Sequence, residues 1–338
     1  VNKELMNYNS FPRTGSIRAL TVPLPGFPDL ICSNMFVLGN GPVTLIDTAP
    51  KFPGSLYTLE KQLNETGLTW KDVERIIITH GHIDHFGLVG QVRSASGHDI
   101  PCYIHEDDLW RLAGDYIRNG MWSEEAEGFY AKVGMPAQTV ERMKRRSLFF
   151  KNLCDPVDDA IPMKDGDIFS GDGFELSVIH TPGHSPGCCC LHERHSRILF
   201  SGDHLLKHIT PNPFHEVSRS RLKDPSYKSL QAYMESLKRL ENLDVSYVFP
   251  AHGEYINHMG TLIEGYRKHH EQRTEEIWHV LNKQVSSIYG IMPDVFPGVE
   301  ESEAFLAVSE ILVHLEMLID EGRAELVDEG QPALFRAI

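Results

Sequence analysis

The densest concentration of reactive side chains in the chain is the run His80-Gly81-His82-Ile83-Asp84-His85. Three imidazoles and a carboxylate within six residues are poor core material, because each one needs a hydrogen-bond or metal partner once buried. Imidazole nitrogens and carboxylate oxygens are also natural donors for zinc and other borderline divalent metals. The run leaves the end of an apolar segment, Val73 to Thr79 (VERIIIT), which reads as a buried strand. Three later residues stand in the same context. His184 in HTPGHSPG follows ELSVIH, Asp203 in LFSGDHL follows ILFS, and His252 in VFPAHGE follows VSYVF. Each enters a Gly- or Pro-marked loop from an apolar strand. Ligands far apart in sequence can therefore converge at one edge of a sheet.

The elements that must position them alternate along the chain. Ile31–Leu38 and Val43–Ile46 flank a Gly-Asn-Gly-Pro turn and predict a hairpin, which Asp47 ends. Leu56–Gly67 has helical spacing and a terminal glycine, Leu88–Ser96 reads as a helix, and Pro101–Ile104 as a strand. From about 107 to 160 the texture turns helical and aromatic, too long for an ordinary connection, and predicts an insertion. Its Trp110, Tyr116, Trp122, Phe129, Tyr130, Phe149 and Phe150 are candidates for a substrate mouth. Strand signals return at Glu175–His180, Cys188–His192, Ile198–Ser201 and Val245–Pro250, with an amphipathic helix over Tyr227–Glu241. Strands alternating with helices predict sheets covered by helices. Beyond His258, two long helical candidates, Leu262–Gln284 and Ala304–Glu321, precede the strand-like pieces AELV and ALFR. The chain thus divides into a catalytic domain over 1–258 and a small helical domain over 259–338.

On these motifs the chain resembles the metallo-β-lactamase-fold hydrolase superfamily over roughly residues 17–258. His80, His82, Asp84 and His85 match its H-x-H-x-D-H signature, and His184, Asp203 and His252 match its later ligand motifs. The resemblance implies an α/β (α+β) fold: an αββα four-layer sandwich of two mixed sheets between helical layers, with metals at one edge. It implies that His80, His82 and His184 hold one divalent ion, that Asp84, His85 and His252 hold a second, and that Asp203 bridges them. Nitrogen-rich ligation makes Zn the first expectation, with Fe or Mn as alternatives. The tail, from HHEQRTEEIWHVL through AFLAVSEILVHLEMLIDEGRAELV, is similar to the winged-helix-like C-terminal domain of the lactamase-beta-2-like branch. That branch includes general hydrolases, thioesterase-like proteins and single-strand nucleases.

The chemistry so implied is hydrolysis by metal-bound hydroxide. Two ions sharing Asp203 and a water would lower the pKa of that water, and Asp84 would orient it towards an ester, thioester or phosphoryl centre. His204, adjacent to Asp203, is the first candidate for protonating the leaving group, ahead of His208 and His215. Lys207, Arg219 and Arg221 are candidates for meeting an anionic substrate. The first expectation is a small-molecule acyl ester or thioester as substrate. The alternatives are a phosphodiesterase or single-strand RNase, and a protein-interaction role for the C-terminal domain.

Composition bounds these readings. The 338 residues suffice for about two domains at ~150 residues each. Lys and Arg number 32 against 47 Asp and Glu, and the net charge of −15 disfavours a nucleic-acid-coating surface. No apolar run is long enough for a transmembrane helix and the first residues hold no apolar signal core, so a cytoplasmic location is expected, with no membrane partner. A homodimer is compatible with the sequence. The six cysteines form no C-x-x-C pair, and Cys188–Cys190 reads as a strand of small apolar side chains in a reducing compartment. G-x-G-x-x-G and G-x-x-x-x-G-K-[ST] are both absent, which leaves nicotinamide and nucleotide-triphosphate chemistry unsupported. The HTPGHSPG segment lacks the G-x-S-x-G elbow that would make Ser185 a nucleophile.

Overall fold

A computed structural model describes residues 11–12, 14–25, 30–119 and 122–338. The first ten residues, with the N-terminal signal reading, lie outside them. The first sheet is built from β1 (Ile17–Pro23), β2 (Cys32–Leu38), β3 (Val43–Ile46), β4 (Val73–Ile77), β5 (Cys102–His105) and β6 (Ile161–Met163), in that spatial order. β1 to β3 form an antiparallel meander, and β3 to β6 run parallel. The second sheet has the order β11-β10-β9-β8-β7, from β7 (Ile168–Gly171), β8 (Phe174–His180), β9 (Cys189–Glu193), β10 (Ile198–Gly202) and β11 (Tyr247–Pro250). Only its β10–β11 pair is parallel.

The two sheets face each other across one apolar layer. Phe36, Ile46 and Ile77 of the first sheet meet Val178, Leu191, Phe200 and Phe249 of the second. The outer face of the first sheet is covered by α1 (Ser55–Glu65) and α3 (Val89–Ser96), through Leu59, Leu63 and Val92. Between them in the chain lies the single-turn α2 (Ile83–Phe86). The crossovers β3-α1-β4 and β4-α3-β5 supply these covers, as parallel strands require. The outer face of the second sheet is covered by Tyr233 and Leu237 of α7 (Ser229–Leu240) and Ile263 and Tyr266 of α8 (Met259–Leu281). Helix, sheet, sheet, helix is the four-layer αββα sandwich expected from the sequence. The Cys188–Cys190 thiols are buried where β9 begins, and all six cysteines are unpaired. Among the described residues no helix is long and apolar enough to cross a membrane.

The insertion between β5 and β6 forms α4 (Gly114–Asn119), α5 (Glu124–Val133) and α6 (Ala137–Phe150). The C-terminal segment continues from α8 into α9 (Ile288–Val295), α10 (Ala304–Asp320) and the hairpin of β12 (Ala324–Asp328) and β13 (Leu334–Ala337). These two stretches, well separated in sequence, share one core. Ala126, Tyr130, Val133 and Met143 of the insertion bury against the cluster formed by Ile277, Ile291, Val308, Ile311 and Leu315. Burying a large apolar side chain contributes ~1.5–3 kcal/mol. The shared core is therefore enough to hold the insertion against the C-terminal helices.

A buried histidine pair ties α8 to α10. His270 Nδ1 lies 3.2 Å from His314 Nε2, and His314 Nδ1 faces the Glu310 carbonyl at 2.8 Å. Burial first, and then its neighbour's charge, lowers His270 to about 3, and burial likewise lowers His314 to about 4. An unfolded histidine takes up its proton near pH ~6.5. Between there and about pH 4 the unfolded chain binds protons that the folded pair does not, so stability declines as pH falls through that window. Thermal unfolding from pH 7 to pH 4 should accordingly show a shallower acid decline in the His270→Gln/His314→Gln double variant than in the parent. Equal slopes would contradict the assignment.

Candidate metal centre

The ends of β4, β10 and β11 lie at the same edge of the sandwich, and each releases its candidate ligands there. β4 runs through Thr79 into His80 and His82, then into α2, which carries Asp84 and His85. β10 ends at Gly202, directly before Asp203, and β11 ends two residues before His252. The loop after β8 carries His184. The sheets meet tightly at this edge. Gly202 has φ +51°, and a Cβ there would lie 2.6 Å from Thr79 Oγ1, so glycine is needed to bring Asp203 beside the β4 loop.

All seven residues converge. His80 Nε2 and His184 Nε2 lie 3.0 and 3.1 Å from His82 Nδ1. Asp203 stands between two groups. Its Oδ2 is 3.5 Å from His184 Nε2 and 4.0 Å from His80 Nε2, whereas its Oδ1 is 3.2 Å from His252 Nε2 and 3.5 Å from His85 Nε2. Asp84 completes the second group, with Oδ2 at 3.4 Å from His252 Nε2 and Oδ1 at 3.7 Å from His85 Nε2.

The opposite nitrogens of these rings are anchored to acceptors. His85 Nδ1 donates to Asp47 Oδ2 at 2.9 Å, His184 Nδ1 to the Asn212 carbonyl at 3.0 Å, and His252 Nδ1 to the Cys32 carbonyl at 2.8 Å. An acceptor behind Nδ1 places the proton there and leaves the Nε2 lone pair pointing at the centre. Two of these lone pairs, together with one oxygen of Asp203, find no protein partner. His85 Nε2, His252 Nε2 and Asp203 Oδ1 are enclosed without a directed hydrogen bond. Buried polar atoms are rarely left so, and a shared orphaning within one cluster is what a cation-binding site requires.

The field of the site agrees. Burial alone would lower His85 and His252, yet Asp203, with Asp47 and Asp84 behind it, raises His85 well above the ordinary histidine range. Asp203 and Asp84 likewise bring His252 up to about 10. Burial would raise Asp203, but His252 and His85 hold its carboxyl well below the usual carboxylate range. The group of His80, His82 and His184 differs: burial, then His184 and Arg111, lowers His82 to about 3, so it presents a neutral ring. A pocket whose carboxylates draw positive charge onto neighbouring imidazoles is one in which a divalent cation can take that proton's place. The donor set and its orphaned atoms fit divalent metal ions.

Two supporting carboxylates were not singled out from the sequence as site residues. Asp47, at φ +57°, accepts from Thr79 N at 2.7 Å and Thr79 Oγ1 at 2.8 Å besides holding His85. Its position at the end of β3, like that of Asp203 after β10, was the available signal. Asp108 is fully buried and joins the two loops of the first ligand group. It accepts from Gly81 N at 2.8 Å on one side, and from Ser185 Oγ at 2.6 Å and Gly187 N at 3.0 Å on the other. Arg111 balances its charge from 3.2 Å and is itself shared with Glu216. Asp108 sits in an acidic HEDD run that gives no local sign of this role.

A cavity of about 560 Å³ opens directly on His82, Asp84, His184 and Asp203. His204 does not line it, which corrects the sequence expectation. The ring is fully buried behind the site against Tyr233, with no partner on either nitrogen, and burial lowers it to about 3. A group so enclosed cannot reach a leaving group. His215 does line the cavity, stacked on Phe129 at 5.2 Å, while His208 lines a small cleft behind His252. Of the insertion aromatics, Tyr116, Trp122, Tyr130 and Phe150 reach the cavity wall, and Trp110, Phe129 and Phe149 do not. Lys207 is engaged by Glu254, Arg221 by Asp115, and Arg219 by the carbonyls of Pro225 and Tyr227, all away from it.

A four-layer sandwich with a histidine–aspartate edge beneath a cavity defines a metallo-hydrolase. The chain belongs to the metallo-beta-lactamase superfamily, whose sequence profile matches residues 28–252. It is 30% identical over 338 residues to a Bacillus subtilis (strain 168) protein named "probable metallo-hydrolase YqjP", covering 96% of this chain and 99% of that one. The metallo-beta-lactamase family protein TTHA1429 from Thermus thermophilus superposes with a TM-score of 0.80 at 27% identity, over 96% of this chain and 99% of that structure. A more distant relative, 24% identical over 89% of this chain and 76% of its own length, is the atrochrysone carboxyl ACP thioesterase of Emericella nidulans.

Removing an outer acceptor from a metal-ligating histidine typically costs ~10–100-fold in metal affinity. Asp47→Asn, which alters the acceptor behind His85, should weaken zinc binding by about that factor, and Asp108→Asn, which loosens the clamp on the loops of His82 and His184, should weaken it as well, both read by competition with a chromophoric chelator, while circular dichroism stays unchanged. Parental affinity in both variants would contradict the role given to these carboxylates.

Proposed function

We propose that the chain is a dinuclear metal-dependent hydrolase of acyl esters or thioesters. The observation that carries this reading is Asp203, whose two oxygens face two separate ligand groups: His80, His82 and His184 on one side, Asp84, His85 and His252 on the other. Five imidazole donors favour Zn over harder cations, with Fe or Mn as the next fits. Bound divalent ions would supply the Lewis acidity that acidifies a water and polarises a carbonyl.

The chain's own residues do the rest. Asp84 is the more open of the two carboxylates, 20% exposed against 6% for Asp203, and it faces the cavity. It is placed to accept a proton from the attacking water and to hold that water's oxygen towards a substrate carbonyl. The water oxygen bonds to the acyl carbon, the C–S or C–O bond breaks, and the departing thiolate or alkoxide takes the proton that Asp84 accepted. Phe214 packs edge-on against His82 and His184, with ring centroids 5.6 and 5.2 Å away, and screens the first ligand group from bulk water. The largely apolar cavity supports an acyl substrate, and a distant relative carries thioesterase in its name. The tail follows the helix, helix, helix, hairpin order of a winged helix. We assign it to closing the active site rather than to nucleic acid, in line with the net charge of −15.

Metal-loaded protein should cleave members of an acyl-thioester and acyl-ester panel. His82→Ala and Asp203→Ala should lose both bound metal and turnover. Undiminished hydrolysis after rigorous chelation would overturn the reading.

A further inference from the structure

We propose that the acyl part of the substrate is a large apolar group of about ten or more carbons, housed between the insertion helices and the start of α10. The inference rests on the acyl-hydrolase reading above and adds the substrate class. Its basis is a continuous aromatic wall that begins at the candidate metal ligands. Phe214, against His82 and His184, lies parallel to Phe305, with centroids 6.1 Å apart and planes 6° apart. Phe305 meets Tyr130 edge-on at 6.5 Å, and Tyr130 meets Trp122 at 5.5 Å. Phe214, Phe305, Tyr130 and Trp122 all line the cavity. The wall therefore leads from the reacting edge, across the C-terminal helix, to the far side of the insertion.

Size and polarity point the same way. At about 30 Å³ per non-hydrogen atom, by analogy with a water's share of the liquid, the cavity of about 560 Å³ has room for roughly fifteen to twenty atoms. An acetyl group would leave most of it filled with water against aromatic faces. Two polar groups that line the cavity beside the wall are already engaged within the protein. Trp122 Nε1 donates to Ser147 Oγ at 2.5 Å, and Arg111 is held between Asp108 and Glu216. The wall thus selects for apolar area rather than for hydrogen-bonding groups. Each methylene buried there is worth up to about a fourfold gain in specificity.

The test uses the full metal-reconstituted chain and measures kcat/KM for p-nitrophenyl esters and coenzyme A thioesters with straight acyl chains of two to fourteen carbons. The expected profile climbs at least about a hundredfold from four to ten carbons, well within the roughly fourfold-per-methylene ceiling, and then levels as the cavity fills. Met143 lines the cavity from α6. Met143→Trp should collapse the ratio of ten-carbon to two-carbon rates at least tenfold. That ratio does not depend on the fraction of protein that folds. A flat profile, with short and long chains cleaved alike, or a ratio unmoved by Met143→Trp, overturns the pocket assignment while the hydrolase reading stands. Failure to cleave any ester or thioester overturns that reading and the acyl assignment with it.

Discussion

Five imidazoles and two carboxylates turn their donor atoms towards one centre from which water is largely excluded, and the rest of the structure is arranged around that concentration of lone pairs. Without a cation such a cluster is unfavourable, because each desolvated donor lacks the partner it had in water. What holds it together is a ring of outer acceptors. Asp47 fixes His85, the Asn212 carbonyl fixes His184, and the Cys32 carbonyl fixes His252. Asp108 clamps the backbone of the loops that carry His82 and His184. The orientation of these rings thus depends on groups carried by the first sheet and by the loop that follows β10 of the second. This is why the αββα frame is a requirement of the site and not only its setting.

The tightest expression of that dependence is at Thr79. Its hydroxyl and amide are bound by Asp47, its carbonyl accepts from Cys189 N at 2.9 Å, and its side chain leaves room at Gly202 for no more than hydrogen. One residue therefore joins the end of β4 to the second sheet and sets the separation between the H-x-H loop and Asp203. The outer layer has a parallel arrangement. The insertion and the C-terminal helices share a single core, so the cavity has walls from two distant stretches of chain.

Much of this was legible in the sequence because the ligands sit where local pattern and chemistry coincide. An apolar strand that ends in H-x-H-x-D-H, and others that end in His184, Asp203 and His252, announce both the sheet edge and its donors. The strands β2 to β5 and β8 to β11 were readable from their apolar runs for the same reason. Other elements were not. β1 carries a mixed polar pattern, the edge strands β6 and β7 are three and four residues long, and α9 contains Pro293, which argues against a helix until its core contacts are known. His204 shows the limit of adjacency: being next to Asp203 says nothing about which way the ring points, and burial turned it away from the cavity. His215, far from any ligand in sequence, reaches the cavity because the chain folds back beneath α10. The aromatic residues of the insertion could be seen, but not which of them would meet Phe305, because that contact is a product of the shared core.

The central claim is that Asp203 divides one donor cluster into two metal positions. Anomalous diffraction at the zinc edge from crystals of the metal-loaded chain tests it directly. The account predicts two peaks flanking the Asp203 carboxylate, one within the ring nitrogens of His80, His82 and His184 and the other within the donors of Asp84, His85 and His252. A single peak, or peaks that leave Asp203 in contact with only one ion, would contradict it.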